Sequence, residues 1–224
     1  GRKWQRRASA ASQSSAGSMI QRRSSGSLHS ISHFFQRLPS LYNLVGSGSD
    51  NGTDINGFVA VKSLDQVYVQ AAGLYPLVVD KVTEWALQHN GYFPVASHWT
   101  EFVRWAEAKD VPTLRANIKW ASIKRSSRAI EKLVRSYQGD VSRLVDVCRQ
   151  SIVFTGAEDM LGCLEAILSD PSVPLCRIKN RMCQSYDARQ TGGYRDVCLN
   201  LRLETEYTRR LTINYHVFEV CVCV

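Results

Sequence analysis

IKRSSRAIEKL at 123–133, RLVDVCRQSIVF at 143–154, GGYRDVCLNLRL at 192–203 and HVFEVCV at 216–222 follow one another in the C-terminal half of this 224-residue chain. The first has helical spacing behind a basic start. The second ends in an apolar, β-branched run, and the third and fourth alternate apolar with other residues at the period of a half-buried strand. Working outward from residue 117, the pattern predicts a strand over 117–124, a helix over 126–137, a strand over 150–154 and a helix over 157–168. Strands over 175–180, 193–203 and 212–224 complete it. This is an α/β (α+β) domain with a mixed sheet of about five strands flanked by helices, a usual sheet size.

Several charged residues in this region stand where charge is costly. Glu219 is the only charged residue from Val217 to Val224. A carboxylate in so apolar a strand needs a partner or a metal, unless the strand is an edge where Glu219 points to water. Both readings are open on the pattern alone. Asp146 leads directly into the 150–154 strand. Lys124, Arg125, Arg128 and Lys132 gather at one helix start, with 128 and 132 on one face. Cations and free backbone amides converge there on an anion, or else form a solvated basic face. Tyr194, Asp196, Cys198, Asn200 and Arg202 share one face of the 193–203 strand, and Arg177, Lys179 and Arg181 alternate on the strand before it. Phosphoryl-type transfer asks for Mg²⁺ on oxygen ligands, cations against phosphates and an acceptor hydroxyl held in line. Residues of each kind are present.

These motifs, in this order, resemble the synthetase domain of the RelA/SpoT family, over just under half the chain. The resemblance implies a nucleotidyltransferase-like fold and transfer of pyrophosphate from ATP to the 3′-hydroxyl of GDP or GTP. It implies that Asp146 and Glu219 hold Mg²⁺ and are catalytic, that Lys124 and Lys132 meet the ATP phosphates with Arg128 between them, and that Tyr194 stacks on the acceptor guanine. Lys179, with Arg177 and Arg181, either meets the acceptor's phosphates or stands on the solvent-facing side of an amphipathic strand; both readings are open. Base stacking suits any base and so gives affinity more readily than guanine specificity. The chain departs from the family pattern at several places. Arg128 stands for a serine, Arg149 and Ser151 for the glycine and arginine that follow the aspartate, and Asp196 and Cys198 for the serine and histidine after the tyrosine. Two alternatives stay open: a noncatalytic nucleotide-binding regulatory domain, and transfer to an RNA acceptor. No His-Asp motif of the family's hydrolase domain is visible at His89 or His98.

N-terminal to this region, residues 57–116 read as a helical extension: helices over 63–75, 76–91 and 98–110, with Pro76 at a first turn and Gly91 as a stop. The tryptophans at 85, 99, 105 and 120 are expected as large core residues rather than stacking platforms. Residues 1–56 hold seven of the 28 Lys/Arg and two of the 20 Asp/Glu. With thirteen serines in the acid-free stretch 1–49, this tail is expected to be disordered. It contains a stretch at 28–38 with amphipathic helical spacing and two arginine-directed serine sites, RRAS at 6–9 and RRSS at 22–25.

The composition of the tail also matches an organelle transit peptide, so the expected location is cytoplasmic, or organellar if the tail is a targeting segment. The body is mildly basic, which suits a nucleotide or phosphate partner. No run reaches the length of a transmembrane helix, and no oligomeric state follows from the pattern. Seven cysteines without a secretory signal are expected reduced, with a zinc site conceivable where Cys221 and Cys223 share a strand face with Glu219. The sequence stops inside a valine–cysteine alternation, and further covering elements are expected beyond Val224. A start upstream of Gly1 is expected likewise.

Overall fold

A computed structural model describes residues 61–97 and 101–224. The tail, with its helix and serine sites, and also His98 and Trp99, lie outside the described residues. The molecule is a mixed α/β fold in which helices flank a six-stranded mixed sheet of order β2-β1-β3-β6-β5-β4. The strands are β1 (Tyr92–Pro94), β2 (Phe102–Arg104), β3 (Arg149–Val153), β4 (Leu175–Asn180), β5 (Val197–Leu201) and β6 (Phe218–Cys223). The β3–β6 pair is parallel and the other pairs are antiparallel. The helices are α1 (Leu64–Gln88), α2 (Trp105–Ala108), α3 (Pro112–Ala116), α4 (Ser126–Ser136), α5 (Ala157–Ser169) and α6 (Glu206–Arg210).

Strand alternation divides the sheet into two unlike faces. Ile152, Phe218, Val220, Val222, Val197, Leu199, Leu201 and Ile178 are all buried on one face, where α1 packs on β3 and α5 packs on α1 and β6. Each such aliphatic or aromatic side chain stabilises the fold by about 1.5–3 kcal/mol. The opposite face carries Arg149 and Ser151 of β3, Glu219, Cys221 and Cys223 of β6, Cys198 and Asn200 of β5, and Arg177 and Lys179 of β4, aligned by the strand register. Chemistry-bearing side chains are therefore gathered on one face by parity alone.

Several local expectations are corrected. The two helices expected over 63–91 are one, because Val67, Ala71, Leu74, Val78, Val82, Trp85 and Ala86 form a single buried stripe that runs past Pro76. Burial along the stripe outweighs the hydrogen bond that proline forgoes. The helix expected over 98–110 is split: Phe102–Arg104 pair with β1 as β2, and only Trp105–Ala108 are helical. Residues 117–124 make one bridge, Ile118 to Val95, rather than a strand, so the sheet gains two strands from residues 92–104 and loses this one. The strand expected from 193 starts at Val197, since Gly192 and Gly193 adopt positive φ of 62° and 92° and close a turn. Only Cys198 and Asn200 of the five expected residues thus lie on β5. The strand expected over 212–224 begins at Phe218, and it is interior rather than at an edge. Trp85 and Trp105 are buried as expected, and Trp105, Trp120 and Phe93 pack ring against ring at centroid distances of 4.8–6.1 Å.

Gly91 proves to be a packing position. The helix ends at Gln88 with His89 as its cap, and Asn90 takes the left-handed conformation at φ 58°. A Cβ on Gly91 would stand 2.7 Å from both Ala86 Cβ and Ile152 Cγ2. Gly91→Ala should therefore destabilise the protein by about 1–3 kcal/mol through overpacking. A lowered urea midpoint at unchanged slope is the expected outcome.

Candidate nucleotide site

The site is built where α4 meets the approach to β3. Residues 144–148 lead into β3 from a short 3-10 turn, Val141–Arg143, whose start is capped by the Asp140 side chain accepting from Ser142 N. This brings Asp146 beneath α4. The Asp146 carboxylate is buried, with 8 % exposure, and its Oδ2 accepts from Lys124 Nζ at 2.6 Å and Lys132 Nζ at 2.8 Å. Lys124 is held just before the helix by its own backbone: its N–H donates to Val147 O at 2.9 Å and its carbonyl accepts from Tyr68 Oη at 2.7 Å. Lys132 lies 5.2 Å from the Tyr137 ring centroid, with the Arg143 guanidinium 4.9 Å from the same ring.

The electrostatics follow from this packing. Burial alone would raise the Asp146 pKa, but the hydrogen bonds and charges of Lys124 and Lys132 outweigh it and hold the carboxyl below its ordinary value. Burial alone would lower the Lys132 pKa, and the same pairing keeps it above its ordinary value. Both groups are charged at neutral pH. The second oxygen, Asp146 Oδ1, is buried and has no hydrogen-bond partner. One lone-pair-rich oxygen is thus left over in a pocket that already holds two cations.

Above the lysines opens a cleft of about 590 Å³ lined by Lys124, Arg125, Arg128, Lys132, Arg135 and Arg149, with Ser122, Ile123, Glu131 and Ser136 between them. Glu131 accepts from Arg128 and Arg135, each at 2.9 Å. Among the described residues, Arg125 and Arg149 pair with no carboxylate. Six cations, the partly buried Lys124 and Lys132 among them, line the cleft with Glu131 and have the buried Asp146 beneath them, which leaves a strong positive potential. A polyphosphate suits this cleft. Arg149, which the sequence marks only as a departure from the family pattern, and Arg135 are not among the expected site residues. Arg149 could have been found as a bulky cation where the family pattern has glycine, whereas Arg135 reads as an ordinary helix-face charge.

Glu219, Lys179 and Tyr194 gather elsewhere on the same sheet face. Glu219 is half-buried on β6, opposite Arg149 on β3 and Asn200 on β5. Its amide donates to Cys148 O at 3.0 Å, two residues past Asp146, so the two carboxylates stand on neighbouring segments of the backbone. Cys221 Sγ lies 4.0 Å from Glu219 Oε1. Lys179 faces Cys198 across β4 and β5. Tyr194 precedes β5 in the loop after Gly193, half-exposed, and burial together with the neighbouring Cys223, Asp196 and Cys221 pushes its pKa up. Asp196 is buried at 1 % exposure and paired with Arg181 at 2.5 Å, and Arg195 donates to the carbonyls of Arg181, Cys183 and Tyr186. Arg128, Lys124 and Lys132 therefore share the cleft over Asp146, while Lys179, Tyr194 and Glu219 occupy the sheet beside it.

No family model matches this chain, and no curated protein does. Four chains of solved structures match it. One is the Type VI effector Tas1 in a crystal structure with its immunity protein, at 21 % identity and a TM-score of 0.41, covering 71 % of this chain and 60 % of that one. The present chain thus spans less than two thirds of that protein. Among the described residues no helix is long and apolar enough to cross a membrane.

The paired carboxylate gives the fold a pH dependence with a definite sign. A carboxyl whose folded pKa is depressed contributes stability above its unfolded value, about 3.9, and that contribution is lost as pH falls through the folded value. His216, buried and pushed down to a pKa of about 4, separately lowers stability as pH falls from about 6.5. The informative quantity is therefore a difference. Asp146→Asn should be less stable than wild type at pH 7 by about 3–5 kcal/mol, because it strands two partly buried ammonium groups. The gap should narrow as pH falls below about 4, in urea denaturation measured across that range.

Proposed function

We propose that this chain is a Mg²⁺-dependent pyrophosphate transferase that uses ATP as donor and the 3′-hydroxyl of GDP or GTP as acceptor. The observation that carries this is the cleft over Asp146, where Lys124, Lys132, Arg128 and Arg149 meet beside a buried carboxylate that keeps one oxygen unpartnered. The donor chemistry fits the metal. Mg²⁺ prefers hard oxygen ligands and keeps several waters, and Asp146 Oδ1 and the Glu219 carboxylate would hold it. When bound, the ion supplies positive charge against the phosphate oxygens.

The chain's own residues do the rest. Lys124 and Lys132 turn from Asp146 to the incoming triphosphate, which replaces one anion by another. Arg128 and Arg149 hold the phosphates from the helix and from the strand. Tyr194 offers a ring face to the acceptor base, and Lys179 a charge to the acceptor phosphates. In the transfer, the acceptor 3′-oxygen bonds to the β-phosphorus, the bond from that phosphorus to the α–β bridging oxygen breaks, and AMP leaves. The hydroxyl proton goes to a carboxylate, for which Glu219 is the candidate.

A second reading has its own observation in favour. Asp196 and Cys198 occupy the places that the resemblance gives to a substrate-orienting serine and histidine, and both are buried, Asp196 in an ion pair with Arg181. That supports a nucleotide-binding domain without turnover, or an acceptor other than a free nucleotide, such as RNA.

Incubation of the full chain with γ-labelled ATP, Mg²⁺ and GDP or GTP separates these. Labelled guanosine tetra- or pentaphosphate is expected, abolished in Asp146→Asn and Glu219→Gln and reduced about 10²–10³-fold in Lys132→Ala, the cost of removing one fixed charge-stabilising donor. Nucleotide binding without product would rule out transfer to guanosine nucleotides. Label appearing on tRNA instead would move the acceptor to RNA.

A further inference from the structure

On the sheet face opposite α1 and α5, Cys198, Glu219 and Cys221 bring one ligand atom each to within 4.8 Å of one another. We propose that these three residues form a site for a thiophilic divalent cation of the zinc class. The proposal stands on this geometry and not on the transferase reading.

The arrangement is fixed by the sheet. Cys198 and Cys221 are directly opposed across the antiparallel β5–β6 pair, and Glu219 lies two residues before Cys221, hence on the same face. β6 is interior, bonded to β3 on one side and β5 on the other, so the ligand set cannot splay without breaking two ladders. Zinc–sulfur bonds of about 2.3 Å at the tetrahedral angle put two sulfurs about 3.8 Å apart. The cluster is within about 1 Å of that closure. Cys198 is buried, while Glu219 and Cys221 keep partial exposure, so solvent supplies water as a fourth ligand, as in open zinc sites. Two soft sulfurs select zinc over Mg²⁺, which keeps to oxygen. Binding is balanced by release of two thiol protons to solvent as two metal–sulfur bonds form.

Glu219 would then serve two metals in turn. Zinc at the thiols takes the carboxylate that the transfer reaction needs, so the site is inhibitory if that reaction occurs and remains a metal site if it does not.

Titration of the reduced, metal-free full chain with Co²⁺ under anaerobic conditions tests the proposal. The expected result is a sulfur-to-cobalt charge-transfer band that saturates at one ion per chain and is bleached by Zn²⁺. Cys221→Ser should remove about half the band, one of two thiolates, and Glu219→Gln should weaken binding roughly tenfold or more. Cys183→Ser, in the loop after β4, should leave both unchanged. Absence of the band, its survival intact in Cys221→Ser, or its loss only in Cys183→Ser would overturn the site. Alkylation of wild-type Cys221, read by mass spectrometry with and without Zn²⁺, decides the matter should the serine variant not fold: protection by the ion supports the site and equal labelling contradicts it.

Discussion

The arrangement of the site depends on one buried charge. Removing a carboxylate from water costs several kcal/mol unless opposite charge and hydrogen bonds replace the lost hydration, and Asp146 answers this with two ammonium groups on a single oxygen. That demand fixes the start of α4, because Lys124 and Lys132 must both reach back to the chain entering β3. It also fixes the character of the cleft. Two cations on one carboxylate leave a net positive charge in a sheltered place, and Arg149, Arg125, Arg128 and Arg135 add to it around the rim. Such a surplus makes an anion with several oxygens a natural occupant.

The sheet contributes a second constraint, that of parity. With β6 held between β3 and β5, alternate residues of all three strands must choose between the α1–α5 side and the opposite side. Phe218, Val220 and Val222 take the first, so Glu219, Cys221 and Cys223 take the second. A one-residue slip would exchange these sets entirely, which is why burial of the valines determines where the carboxylate and the thiols appear. The same parity places Arg149 in the cleft and Lys179 opposite Cys198.

Much of this was legible in sequence wherever the local pattern and the tertiary environment agree. Helices α4 and α5 and strands β3 and β4 follow from periodicity because each has one buried and one solvated side. The grouping of Lys124, Arg128 and Lys132 followed from helical spacing, and the oddity of Glu219 from its apolar neighbours. What was hidden depends on partners distant in the chain. Phe102–Arg104 have helix-like spacing but are drawn into β2 by pairing with Tyr92–Pro94. Residues 117–124 alternate like a strand yet find only one bridge, since β1 already occupies that side of β3. Helix α1 runs through Pro76 because its stripe is buried on both sides of it. Asp146 as the partner of both lysines, and the convergence of Cys198 on Glu219 and Cys221, are facts of cross-element register that no single stretch carries.

The central claim is that the cations gathered over Asp146 form a triphosphate site. Titration calorimetry of ATP into the full chain tests it most directly. The account predicts one binding site, an affinity that falls as salt is raised, and a loss of about tenfold or more, some 1.4 kcal/mol, in each of Lys132→Ala and Arg149→Ala. Absence of binding to the folded protein, or binding indifferent to both substitutions and to salt, would contradict it.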